Sequence, residues 1–237
     1  MSLLEIRKLE AGYGSRQVLF DAVAEVERGQ IALIVGPNGS GKSTLLKAIY
    51  RQCDFKSANE FSFDALSIAK TPLQRLMRAG LAYVPQHKNV FNRLTGRENL
   101  QLALVMRGKP DVPSGLTEQI PEIGRILGRT AGQLSGGQRQ LLALTMGLIV
   151  RPKLLLLDEP LAGLDERGSS TVAATIRLHQ EEYGIAFLIV EHRYKRLIAL
   201  ADRCYGMKLG RTITRLDRAQ LQDAHRVDSA MREVFVL

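Results

Sequence analysis

"IALIVGPNGSGKSTLLKAIY", residues 31–50, decides the fold. Its first five residues, 31–35, form a short continuous apolar run, as in a strand buried on both faces. A glycine-rich loop, 36–41, follows at once, and "STLLKAIY" then reads as a helix. Strand, loop and helix in that order make an α/β unit. The loop fits G-x-x-x-x-G-K-[ST] with Gly36, Gly41, Lys42 and Ser43. Glycines let backbone N–H groups turn inward around phosphate oxygens, and the helix start adds its positive field. Lys42 then reaches the terminal phosphates and Ser43 ligates Mg²⁺. A plain glycine turn is the alternative, and the strand before and the helix after weigh against it.

Two other stretches extend this chemistry. "KLLLLDEP", 153–160, reads as a central buried strand ending in two carboxylates. Asp158 is placed to hold Mg²⁺, directly or through water. Glu159 either orients the attacking water or is a surface acid. "QLSGGQRQ", 133–140, sets Ser135 and Gln138 at capping-box spacing before an apolar helix. Ser135, Gly136 and Gly137 therefore present open N–H groups at a helix start, an anion site in its own right. This second loop either holds another part of the same nucleotide or meets a nucleotide elsewhere. Local chemistry does not choose.

Around these motifs the chain alternates strands and helices. "LEIRKLEAGY" and "VLFDAVAEVE" predict strands, as do "LAYVPQ" at 81–86 and "IAFLIVEH" at 185–192. Thr95 and Glu98 are at capping-box spacing, so a helix is expected over 96–106, and a second over 117–127 after a loop with Pro110, Pro113 and Gly115. Asp165 can cap a helix over 166–182. "RCYGMKLGRTI" reads as two short strands about Gly210, and 214–232 as a charged helix whose final "VFVL" packs back on the body.

Composition sets the outer limits. A chain of 237 residues, 45% apolar, suits one globular domain with a small insertion. No run approaches 18 apolar residues, so no single-pass membrane helix is expected. The N-terminus lacks the long apolar region of a signal peptide. Two cysteines, Cys53 and Cys204, suggest no disulfide framework and a reducing compartment. The net charge of +9 suits phosphorylated ligands, nucleic acid or an anionic surface, but its basic residues are scattered and no aromatic-basic interleaving suggests a stacking platform.

"LSGGQ", with the phosphate loop before it and "LLLLDEP" after it, resembles the signature of ABC-type ATPases over roughly residues 3–210. The resemblance implies an α/β fold: a P-loop NTPase core of ABC ATPase type, with an N-terminal antiparallel β region and a small α-helical subdomain. It implies a single domain over 1–237, the helical subdomain inserted at 87–137 and a C-terminal helical tail at 211–237. ATP and Mg²⁺ are the implied cofactors. Gly36, Pro37, Asn38, Gly39, Ser40, Gly41, Lys42, Ser43 and Thr44 would cradle the phosphates, with Tyr13 stacked on adenine. Ser135, Gly136, Gly137 and Gln138 would close over the γ-phosphate held by another copy, in a head-to-tail pair. Lys42, Gln86, Glu159 and His192 would carry hydrolysis, and Ser43, Gln86 and Asp158 would meet the metal. "LAGLD", 161–165, would cross the interface between copies.

"LAYVPQHKNVFNRLTGRENL", "TAGQLSGGQ" and "LADRCYGMKLGR" resemble, more narrowly, the ATPases of branched-chain amino acid importers and their urea or amide relatives. The implied partners are a second ABC ATPase subunit, identical or related, integral membrane permease subunits and, indirectly, an extracytoplasmic solute-binding protein. Nucleic acid is not among them, and the implied location is peripheral, on the cytoplasmic face of the cell membrane. A permease helix would dock within 87–105, against Val90, Phe91, Leu94 and Leu100. The chain departs from that group at 53–65, which lacks the glycines usual around a short hairpin, and at Gly96. A soluble ABC-type ATPase acting on nucleic acid or ribosomes is the alternative.

Overall fold

The computed structural model describes residues 2–105, 108, 112–113 and 115–235. The chain opens with two long antiparallel strands, β1 (Ser2–Tyr13) and β2 (Arg16–Glu27). Next come β3 (Ile31–Val35), fully buried, and α1 (Lys42–Ile49). β4 (Asp54–Ser57), β5 (Glu60–Phe63) and β6 (Leu66–Ser67) extend the antiparallel region along β1. Their hairpin forms without glycine, because Asp64 and Ala65 take the left-handed conformation (φ 48° and 63°) that its turn requires.

α2 (Leu73–Ala79) leads to β7 (Leu81–Val84). β7 pairs with β8 (Leu154–Asp158) at the end of the sheet, and Pro85, which has no N–H to donate, stops it there. Next in the chain are α3 (Gly96–Val105), α4 (Leu116–Gln119), α5 (Pro121–Gly124) and α6 (Gly136–Ile149). Then come α7 (Glu166–Tyr183), β9 (Ala186–Glu191), β10 (Arg203–Lys208), β11 (Arg211–Asp217), α8 (Arg218–Leu221) and α9 (Ala224–Phe235). The sheet runs β6-β5-β1-β2-β11-β10-β3-β9-β8-β7, with β10, β3, β9, β8 and β7 parallel. Among the described residues no helix is long and apolar enough to cross a membrane.

Helices cover the parallel strands on both faces, which is why β3 is apolar throughout, β8 and β9 are apolar up to their final Asp158 and Glu191, and all three are buried at every residue. A separate apolar cluster lies in the insertion, built from Leu100, Leu116, Ile120, Ile123, Ile126 and the first turns of α6. The helix expected over 117–127 is two short ones. Ile120 precedes Pro121, and the proline ring drives it out of the α region to φ −131°, ψ 81°. The stretch expected as a helical tail from 211 begins as a strand, since "RTITRLD" alternates at period two against β10. Within α9, Val234 packs over Gly206, and Phe235 stacks on Tyr194. Residues 106 and 110, together with Val236 and Leu237 of the final "VFVL", lie outside the described residues.

Candidate functional site

The site lies at the carboxyl ends of β3, β8 and β9, where an open parallel sheet leaves a crevice. The phosphate loop leaves β3 and is fixed from behind by the β10–β11 hairpin: the Gly210 N–H donates to the Ser40 carbonyl at 2.9 Å. Gly36 lies so close to the Met207 carbonyl that an added Cβ would come within 2.2 Å of it, and Gly41 takes φ 103°. Lys42 is folded back into the loop, donating to the carbonyls of Gly36 at 2.9 Å and Pro37 at 3.0 Å. Burial holds its ammonium below the ordinary lysine value, while Glu159, Asp158 and Glu191 pull the other way.

β8 delivers both carboxylates. Asp158 accepts from Ser43 Oγ at 2.8 Å on one oxygen and from the Tyr83 hydroxyl at 3.1 Å on the other. Burial and the neighbouring Asp158 charge push the Tyr83 phenol above its usual range, so it stays a proton donor. Glu159 takes φ 48°, a left-handed conformation rare for a non-glycine residue, held by its own N–H to Val190 O at 3.0 Å. Gln86 Nε2 donates to Glu159 Oε2 at 2.6 Å. His192 Nδ1 is buried 3.3 Å from that same oxygen, without hydrogen-bond geometry.

The cleft in front of the loop has a volume of about 470 Å³. Asn38, Gly39, Lys42, Ser43, Gln86 and Glu159 line it, and Tyr13 and Arg16 stand at its side. The expected residues of the first loop thus converge with Tyr13, Gln86, Asp158, Glu159 and His192. Oxygen donors fit Mg²⁺, which takes one or two carboxylates together with substrate phosphates. Ser43 Oγ and Asp158 meet that requirement. Among the described residues no group of three His, Cys, Asp or Glu side chains could hold a metal by itself. Gln86 has its nitrogen committed to Glu159, so its amide oxygen is the atom left for a metal.

The second glycine loop is not in this cleft. Ser135 caps α6 reciprocally with Gln138, at 3.2 Å and 3.1 Å. The loop lines a separate cleft of about 310 Å³ with Glu122, Arg125, Asp165 and Arg167. A third cavity, of about 390 Å³, runs beside β7 between the core and the insertion, lined by Met77, Tyr83, Pro85, Ala103, Met146 and Val150. Of 87–105 this cavity takes Asn89 and Ala103; of the residues expected to line a docking groove, Leu100 is core and Phe91 is exposed.

Sequence reasoning missed Tyr83 and Glu191. Glu191 is fully buried, and burial raises its carboxyl against the pull of the Leu161 and Arg193 N–H groups and of His192. A buried-strand apolar run, 186–190, closing on an acid was the available signal.

Residues 19–162 match the ABC transporter family. A probable branched-chain amino acid transport ATP-binding protein, LivF, of Archaeoglobus fulgidus is 35% identical over 88% of this chain and 89% of its own. The lipopolysaccharide export system ATP-binding protein LptB of Escherichia coli is 30% identical over 95% of both. Among solved structures, an ATP-binding cassette of an ABC transporter in its ADP conformation superposes with a TM-score of 0.79, at 25% identity, over 96% of this chain and 98% of that one.

Proposed function

The chain belongs to the ABC transporter family as an ATP-binding cassette ATPase, and from that premise we propose that it drives an importer of a small polar solute, an amino acid. Two copies, or this chain and a related one, bind head to tail, so that the second glycine loop of each covers the triphosphate held by the other. One observation carries this pairing: a side chain at Gly136 would meet nothing within 4 Å. The chain's own packing does not require glycine there, whereas a phosphate of a neighbouring copy would.

In this reading Lys42 leaves the Gly36 and Pro37 carbonyls and donates to the γ-phosphate. The N–H groups of residues 36–44 spread its charge, and Tyr13 stacks on the adenine. Mg²⁺, held by Ser43 and Asp158 with Gln86 beside it, would neutralise charge on the β- and γ-oxygens. Glu159 accepts the proton of the attacking water, Gln86 holds its carboxylate, and His192 helps to place the water. Such positioned donors are each worth roughly 10²–10³ in rate.

The cavity beside β7 is where a membrane subunit would dock, and Gln86 lies just past Pro85 in its wall, a short path to Glu159. The importer reading rests on the likeness to the amino acid relative, the more identical of the two reported. An exporter is the second reading, favoured by the exporter relative's longer match. Gentle detergent extraction followed by identification of the bound membrane protein tests both. An importer permease pair, lost when Ala103→Arg fills the cavity, is the expected result. An exporter permease overturns the importer, and a polynucleotide partner that stimulates turnover overturns transport altogether.

A further inference from the structure

We propose that Glu191 is a positioning residue for ATP hydrolysis, a buried staple that sets His192 against Glu159 and ties both to the loop 161–165. The proposal rests on the reading of His192 and Glu159 given above.

The argument starts from register. β8 and β9 are parallel neighbours with Asp158 opposite Val190, so Glu159, the first residue past β8, comes beside Glu191, the last residue of β9, which pairs with Val35 of β3. The two chains then diverge. One turns through Glu159 into 161–165, the other into His192 and Arg193. Glu191 reaches both. Its Oε1 accepts the Leu161 N–H at 2.9 Å. Its Oε2 accepts the N–H groups of His192 at 3.1 Å and Arg193 at 3.2 Å. The side chain has no solvent exposure, so no water substitutes for any of these bonds.

A carboxylate suits this junction because both of its oxygens accept. A glutamine offers one oxygen and one NH₂, so it serves one of the two loops and sets a donor against the other. The groups held are those whose separation matters. His192 Nδ1 lies 3.3 Å from Glu159 Oε2, and Glu159 itself sits in a left-handed conformation that its surroundings must impose. The held loop continues to Leu164, whose side chain would be 3.5 Å from a Cβ placed on Gly137. The staple therefore also connects the catalytic acid to the second glycine loop.

The test is a double-mutant cycle on the full chain: Glu191→Gln, His192→Ala and both together, read as kcat, ATP dissociation constant and melting temperature. Glu191→Gln is expected to lower kcat about tenfold or more, the loss of one or two hydrogen bonds to a charged group, with ATP affinity within about twofold of the parent. In the His192→Ala background the same change is expected to cost little more. A parental kcat with only a lowered melting temperature means a structural acid and overturns the proposal. So do losses that multiply in the double variant, or an ATP affinity that falls in step with kcat. If His192→Ala alone turns over at the parental rate, the reading of His192 fails and the proposal with it. The unmodified protein supplies a check that needs no variant. The amide protons of Leu161, His192 and Arg193 are expected to exchange as slowly as those inside β8 and β9, and exchange at the rate of an open loop overturns the staple.

Discussion

The two glycine loops differ in who needs the glycines. In the first, the chain itself does. A Cβ at Gly36 would come within 2.2 Å of the Met207 carbonyl, and Gly41 combines φ 103° with the Leu19 side chain 2.9 Å from its added Cβ. In the second, Gly136 faces open space, and the Ser135–Gln138 capping box engages the N–H groups of Ser135 and Gln138. The first loop is thus fixed within the chain, backed by a hairpin and filled by Lys42. The second is a helix N-terminus that lines a different cleft from the one that holds the first. A site built within one chain would have brought them together.

The comparison predicts where each substitution hurts. The largest effect is expected from Glu159→Gln, which leaves the neutral amide unable to take a proton. Turnover should fall by about 10²–10⁴ while ATP binding, followed by equilibrium fluorescence, is retained. Parental hydrolysis would remove Glu159 from the chemistry. Next is Gly136→Asp, which puts a carboxylate where the proposed pairing sets the partner's γ-phosphate. Turnover should fall about 10–100-fold with the chain's own ATP affinity and melting temperature unchanged, since the space is open. A fall in ATP affinity of the single chain would mean that the second loop touches its own nucleotide.

Stability should show the mirror image. Gly41→Ala forces a side chain into a left-handed backbone and against Leu19, at a cost of about 1–3 kcal/mol in chemical denaturation. Gly136→Ala, in the first turn of α6, should be neutral or stabilise by up to about 1 kcal/mol. Equal losses at both positions would erase the distinction. The smallest effect is expected from Tyr83→Phe. It removes one of the two hydrogen bonds to Asp158, and should raise the Mg²⁺ concentration needed for half-maximal nucleotide binding about 3–10-fold, with metal-free binding unaltered. An unchanged Mg²⁺ dependence would leave the phenol a packing group against Tyr50.

Much of this was legible in the sequence, for a physical reason. Strands buried on both faces are apolar throughout, so 31–35, 154–157 and 186–190 announce themselves. Polar residues at their ends then mark the crevice, which brings out Lys42, Ser43, Asp158, Glu159 and His192. β4 was not legible, since "DFKS" is exposed at every position and owes its form to pairing with β1. α2 is short and buries only Leu76. The broken helix at Pro121 was marked by a proline that the apolar periodicity overrode. Glu191 and Tyr83 depend on which strands are neighbours, knowledge that comes only with the register of β7, β8 and β9. The burial of Leu100, expected to line a docking groove, has the same origin: apolar residues of the insertion supply its own core before they line any surface.

The central claim is that one chain holds half of each catalytic site. Light scattering of the Glu159→Gln chain, in MgATP and then in EDTA, tests it most directly. Twice the chain mass in MgATP and a single mass in EDTA is the predicted result, with Gly136→Asp on the same chain abolishing the doubling. A parent that hydrolyses ATP at a specific activity independent of its concentration, with a single-chain mass throughout, would contradict it.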